Sequence, residues 1–254
     1  DSNVGGYFGP YLKFSGFDAM EIQGKASADT IIYIDGIEGQ VQIFSASGLP
    51  ENSYELSSCL TEHFCAGKPR SISVVSAGPG AKNTLIGCLN FTWYDAKRKR
   101  ARYKQAGRGG IGTVFADKGI VAVVARWGKV PMDVNQPADL EKAKAVGKIY
   151  SKEIVALDPK QNEMARIGTT HLVPIMNDHD CLPVNNFRYG RHPQADLIGR
   201  DIYQHLFDPG FDGCWKGCTV ACSHGVKDFT PLTGPYKGQR VFVDGPEYET
   251  IAGC

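Results

Sequence analysis

Three cysteines, Cys214, Cys218 and Cys222, stand four residues apart in "DGCWKGCTVACSHG" (212–225), and His224 follows. Thiols at that spacing drift about 40° per step around an ideal helix, so all three sulfurs can share one flank, and a loop can converge them further. Three thiolates are one short of a closed zinc site, His224 lies too near Cys222 for a finger spacing, and Cys254 is distant in sequence. Iron–sulfur clusters commonly draw three cysteines from one short segment and a fourth from elsewhere. The spacing points first to such a cluster, with zinc and incidental core cysteines as the competing readings.

A second candidate is "GRGGIG" (107–112), which satisfies the dinucleotide-binding pattern G-x-G-x-x-G. That pattern has a mechanism only where a buried strand runs into it and a helix leaves it, so that a pyrophosphate meets the helix N-terminus. The approach, "AKRKRARYKQA" (96–106), does not read as a buried strand, and the next strand-like run begins too soon for a crossover helix. Successive glycines still let backbone N–H groups approach an anion closely, and Arg108 adds a fork-shaped donor. A phosphate-gripping loop on another fold and a tight turn needing positive φ both remain open. The basic run from Lys97 to Lys104 reads as a solvated loop, because no aromatics stand at stacking intervals and no wider basic surface accompanies it. It can serve an acidic partner or a ligand phosphate.

Some scaffold must position these groups. The first half is strand-like: "TIIYIDGIEGQVQIF" (30–44) is two extended runs around a glycine-containing turn, and "SISVVSAG" (71–78) and "GIVAVVAR" (119–126) are short, β-branched and bounded by glycine. After Pro131 the texture changes. "PADLEKAKAVGKIYSKEIVAL" (137–157) opens with Pro, places acids in its first turn and continues in helix formers, and "PQADLIGRDIYQHLF" (193–207) repeats that opening. "VNNFRYGRHP" (184–193) reads as loop. The expected fold class is α+β: a β-structured domain over residues 1–130, then a mainly helical domain over 131–254 that carries the cysteines.

The 254 residues are 42% hydrophobic and 22% charged, enough for a real core. Twenty-eight Lys and Arg against 27 Asp and Glu leave a net charge of +1, so no global field recommends nucleic acid or an anionic membrane. No run approaches the roughly 18 apolar residues of a membrane-spanning helix. A chain this size needs no disulfide frame for its eight cysteines, which suggests a reducing, cytoplasmic setting, with Cys59, Cys88 and Cys181 as small buried hydrophobes.

"SNVGGYFGPYLKFSGFDAMEIQGKA" (2–26), "AGRGGIGTVFADKGIVAVV" (106–124), "CLPVNNF" (181–187), the cysteine segment and "GPEYET" (245–250) occur in the order found in the tungsten-containing aldehyde ferredoxin oxidoreductase family, which the chain resembles over nearly its whole length. The resemblance implies an interior piece of a longer chain, with a β-structured cofactor base followed by helical domains. It implies tungsten held by two pyranopterins, with magnesium bridging their phosphates, beside a [4Fe–4S] cluster. Asn3, Gly5, Lys104, Gln105, Gly107 and Arg108 match pterin-contacting positions, Lys104 standing where the family has arginine, which keeps charge but loses a bidentate fork. Cys214, Cys218 and Cys222 match cluster ligands, although the first spacing is one residue longer than the family's commoner pattern; the fourth ligand lies outside this chain. By the same resemblance His224 is a loop residue or sits behind a ligand, Cys254 is buried, and Glu249 falls on an active-site glutamate.

The implied activity is oxidation of an aldehyde to a carboxylic acid, with electrons leaving through the cluster to ferredoxin or an iron–sulfur partner subunit in an oligomeric assembly. A tungsten-class benzoyl-coenzyme A reductase, an electron-transfer subunit without its own substrate site, and a zinc-stapled structural domain are the alternatives. Glu249 favours the aldehyde-oxidising reading over the reductase; an acid satisfying backbone N–H groups near a helix start is its bland counterpart.

Overall fold

The computed structural model describes residues 1–96, 98–128, 136–161, 163–207, 209–215 and 217–244. The chain separates into two compact units, the first running to Ala138 and the second beginning at Asp139. The division expected near Pro131 falls outside the described residues.

The first unit contains α1 (Phe8–Phe14), β1 (Thr30–Asp35), β2 (Gln40–Ser45), α2 (Ser53–Phe64), β3 (Ile72–Ser76), β4 (Leu89–Asp95), β5 (Arg100–Ala106), α3 (Ile111–Asp117) and β6 (Ile120–Arg126). Six strands form one sheet in the order β2-β1-β6-β3-β4-β5. Only the β1–β6 pairing is parallel. The β-branched runs predicted as strands occupy its centre, where β1, β3 and β6 are buried on both faces. One face packs Ile31, Ile72, Val74, Ala122 and Val124 against Leu56 and Leu60 of α2. These leucines are four apart on one side of the helix, and burying each contributes about 1.5–3 kcal/mol. The other face gathers Ile32, Ile34, Val75, Leu89 and Val123 beneath Phe8, Leu12 and Phe115 of α1 and α3. Asn52 starts α2 by accepting the Tyr54 and Glu55 N–H groups at 2.9 and 3.4 Å, the first-turn donors that have no helical partner.

Two elements here were not visible in the sequence. The basic segment 96–106, read as a solvated loop and as no buried strand, contains the largely unburied strand β5, which pairs along its whole length with β4. As an edge strand it tolerates polar residues, so its pattern carries little hydrophobic signal. The short exit to β6 leaves no room for a crossover helix but does hold α3, only seven residues long and too short to show a period in sequence. The arrangement is still no dinucleotide-binding unit. Antiparallel pairings from β6 to β3, β3 to β4 and β4 to β5 leave β5 antiparallel to β6, whereas that unit needs adjacent parallel strands.

The second unit contains α4 (Leu140–Gln161), α5 (Met164–Ile167), α6 (Leu172–Asp178), α7 (Arg200–Leu206), β7 (Pro209–Phe211), β8 (His224–Phe229) and β9 (Val241–Asp244). The helix predicted over 137–157 is α4, started by Asp139, whose carboxylate accepts the Lys142 N–H at 2.9 Å. Gly199 divides the second predicted helix into a short 3-10 turn at Ala195–Ile198 and α7. Sequence texture gave no sign of the antiparallel sheet β7-β8-β9. One buried cluster of this unit is Val173, Leu182, Val184 and Ala195, with Met176 against it, and Ile167, Tyr203 and Val226 are buried as well. Segment 184–193 is irregular apart from a Val184–Tyr189 bridge, and Asn185, Asn186 and Phe187 all take left-handed φ.

Candidate functional site

The glycine loop lies between β5 and α3 and turns on left-handed backbone at Gly109 (φ 69°) and Gly110 (φ 62°). Space as well as conformation demands glycine here. A Cβ on Gly109 would stand 2.5 Å from the Asp1 carbonyl oxygen, and one on Gly110 would stand 2.2 Å from that of Leu85. The loop is clamped to the preceding segment: Gly112 N–H donates to the Gly87 carbonyl at 2.9 Å, and the Thr113 hydroxyl donates to the Thr84 carbonyl at 2.7 Å. Gly107 differs from its neighbours. No atom lies within 4 Å of its Cβ position, and Gly107 and Arg108 are both exposed.

The chain start is seated on this loop. Arg108 N–H donates to Ser2 Oγ at 3.1 Å, which places the exposed Asn3 and Gly5 segment beside the exposed Gly107–Arg108 turn. Sequence reasoning missed Ser2, whose only signal was its adjacency to Asn3.

Lys104 and Gln105 are not equivalent. Successive strand residues leave opposite faces, so Lys104, opposite Phe91, shares the α1 side with Arg102, while Gln105, opposite Asn90, shares the α2 side with Tyr103. On the α1 side the buried Arg102 guanidinium lies over the Trp93 ring at 5.8 Å and 3.6 Å from the Asp95 carboxylate. Arg98 also binds Asp95, at 2.6 Å. Much of the basic run is thereby tied to the β4–β5 hairpin. On the α2 side Gln105 Nε2 donates to Asn90 Oδ1 at 3.2 Å, and Asn90 Nδ2 donates to Ser53 Oγ at 2.8 Å.

The donor set fits an anionic pterin cofactor in kind. Gly107 leaves an open backbone face, Arg108 and Lys104 carry positive charge, and Asn3 and Gln105 offer amides. A cavity of about 510 Å³ elsewhere in the first unit, lined by Asp29, Ser47, Glu51 and Lys82, contains none of these residues.

Cys214, Cys218 and Cys222 lie in the irregular segment between β7 and β8, not on a helix. Cys218 is exposed and the other two are half-buried, and among the described residues no three His, Cys, Asp or Glu side chains gather as a metal site. The thiols are the right donors for iron, but the loop does not hold them in a ligating arrangement. His224 is the first residue of β8, buried, with Nδ1 at 3.1 Å from the Cys222 carbonyl oxygen. Gly168 (φ 80°) packs behind this turn, where a Cβ would stand 2.9 Å from the same carbonyl oxygen. Its segment is braced by Arg200, which binds Glu163 at 2.9 Å and approaches His171 Nδ1 at 3.1 Å. Burial, then the Arg200 charge, lowers the His171 pKa below its ordinary value. Arg166 and Arg200 hold the Glu163 carboxyl below its usual range.

Cys59 is half-buried and Cys88 and Cys181 are exposed, so the expectation that these three are buried does not hold. Among the described residues the buried cysteine is Cys65, in the α2 core cluster. Glu249, the rest of "GPEYET" and Cys254 lie outside the described residues.

Residues 1–127 match the family model described as the aldehyde ferredoxin oxidoreductase N-terminal domain, and residues 145–254 match that for domains 2 and 3. The chain belongs to the aldehyde ferredoxin oxidoreductase family, a family of oxidoreductases. It is 27% identical over 252 residues to the tungsten-containing aldehyde ferredoxin oxidoreductase of Pyrococcus furiosus, covering 98% of this chain and 37% of the relative. The enzyme of the same name from Pyrococcus horikoshii is 29% identical over 251 residues, again 98% of this chain and 37% of the relative. An aliphatic sulfonate oxidoreductase WOR-like subunit from Pyrococcus furiosus is 24% identical, covering 95% of this chain and 37% of the subunit. Among solved structures, the active-site complex BamBC of benzoyl coenzyme A reductase shares the fold, with TM-score 0.59 and 21% identity over 89% of this chain and 33% of that one. The chain spans 37% of the length of the curated relatives it matches. No helix among the described residues is long and apolar enough to cross a membrane.

Proposed function

We propose that this chain is the cofactor-base portion of a tungstopterin oxidoreductase that oxidises an aldehyde to a carboxylic acid. The observation that carries this reading is the glycine loop with the Asn3 segment seated on it, an open backbone face bordered by Arg108 at the edge of a rigid sheet. When bound, the tungsten pterin supplies a two-electron acceptor and a [4Fe–4S] cluster supplies one-electron release to ferredoxin or a partner subunit.

This chain's own residues bind and orient. Gly107 lets a pterin phosphate approach the backbone without a side chain intervening, and Arg108 offers a planar fork to phosphate oxygens. Lys104 adds a point charge from the α1 side of β5. Cys214, Cys218 and Cys222 are thiols of the right kind for iron, better ligands than hydroxyls, and would have to converge from their present arrangement to hold a cluster. Glu249 acts as the general base that takes a proton from water, or from the hydrated aldehyde, as the carbonyl carbon is attacked; such a base contributes about 10²–10⁴-fold. The balance is one aldehyde and one water giving one carboxylic acid, two protons and two electrons.

The test is Arg108→Ala in the full-length protein. Pterin content falls and no dinucleotide binding is seen in either protein. Unchanged pterin content, with a dinucleotide affinity lost in the variant, would overturn the reading.

A further inference from the structure

Asn90 is not among the cofactor-contacting positions that the family resemblance assigns, yet its geometry controls one of them. It sits on β4 directly opposite Gln105 on β5, is 8% exposed, and is bonded on both sides. Its Nδ2 donates to Ser53 Oγ at 2.8 Å and its Oδ1 accepts from Gln105 Nε2 at 3.2 Å. A side-chain amide has one acceptor end and one donor end, so committing the nitrogen to Ser53 turns the oxygen toward Gln105. Gln105 must then turn its nitrogen inward, and its Oε1 is left facing out beside the glycine loop.

Ser53 is a firm anchor. It is the first residue of α2, itself 8% exposed, and its carbonyl accepts from Ser76 Oγ at 3.4 Å, while Ser76 Oγ lies 3.0 Å from Ser57 Oγ. Tyr103, two residues before Gln105 on the same face, donates to the Tyr54 carbonyl at 3.1 Å. The first turn of α2 and the end of β5 are therefore joined by side chains, with the Tyr54 and Ser53 carbonyls fixing Tyr103 and Ser76 as donors. A pterin ring carries N–H and amino donors, for which an outward amide oxygen is the correct partner and an outward amide nitrogen the wrong one.

We propose that Asn90 is a positioning residue for the pterin cofactor, acting through Gln105 by fixing which end of that amide faces the ligand. This rests on the tungstopterin reading above. The experiment follows pterin and tungsten release from the full-length holoprotein of the wild type, Asn90→Ala, Gln105→Ala and the double variant. The rate rises about tenfold in Asn90→Ala, the loss of roughly one hydrogen bond. If Asn90 acts through Gln105, the double variant releases no faster than Gln105→Ala alone, a coupling that a merely structural asparagine does not give. Ser53→Ala unlocks the Asn90 amide without altering β4 and gives the same direction of change should Asn90→Ala fail to fold. Wild-type release rates in both Asn90→Ala and Ser53→Ala, or multiplying rates in the double variant, would overturn this inference while leaving the tungstopterin reading standing. A wild-type holoprotein that contains no pterin would overturn both.

Discussion

The two units build the loops that carry their candidate site residues in different ways. In the first, a six-stranded sheet is covered on both faces, and its glycine loop is fixed by backbone contacts so close that a Cβ at Gly110 would stand 2.2 Å from a carbonyl oxygen. In the second, the described buried hydrophobic residues are a cluster of Val173, Leu182, Val184 and Ala195 together with Ile167, Tyr203 and Val226, and α4 is 22 residues long without one buried side chain among those described. Val146, Ile149, Tyr150, Ile154 and Leu157 fall on one side of that helix and are exposed. The curated relatives carry far more chain than is present here. The lesson is that a glycine loop built on a sheet covered on both faces is held by backbone contacts of its own unit, whereas the cysteine loop is not gathered into a metal site among the described residues.

The largest expected effect sets the cores apart. In the 254-residue chain Leu60→Ala, at 2% exposure beneath the sheet, costs about 2–5 kcal/mol, while Ile149→Ala on α4, at 62% exposure, stays within about 0.5 kcal/mol. Chemical denaturation of both variants measures this, and equal losses would break the contrast. Next comes the glycine loop. Gly110→Ala combines a left-handed φ of 62° with a clash against Leu85 backbone, and costs about 1–3 kcal/mol, read from the same denaturation curves. A neutral outcome would show that the loop is not rigidly built.

The smallest effect concerns pH in the second unit. His171 has a folded pKa below its ordinary value of about 6.5, so the unfolded chain binds the proton more readily. Its contribution to stability is therefore present above about pH 6.5 and is lost as pH falls through and below that value. His171→Gln flattens this part of the profile in thermal melts between about pH 5 and 8. An unchanged slope would mean that the ring does not titrate against Arg200.

Much of the first unit was legible in sequence because its central strands are β-branched runs buried on both faces, as in "TIIYID" and "IVAVVAR". The edge strand β5 was not, since alternating Arg, Tyr and Lys on a half-solvated edge carry the signature of a loop. That omission hid a further fact, that Lys104 and Gln105 point to opposite faces, because face assignment requires a known strand. Three strands of the second unit escaped notice for a related reason: "PGF", "HGVKDF" and "VFVD" are short and contain breakers or charges. The cysteine spacing was visible, but spacing states only which donors are available. Whether they converge depends on tertiary contacts, which spacing does not state. Asn90 had no sequence signal at all, since its role follows from the β4–β5 register.

The most direct test is elemental analysis of the full-length protein as isolated, joined to an electron paramagnetic resonance spectrum after reduction. Tungsten together with about four iron atoms per chain, and the signal of one reduced [4Fe–4S] cluster, is the predicted result. Zinc in place of iron with no visible absorption, or iron with no tungsten, would contradict it.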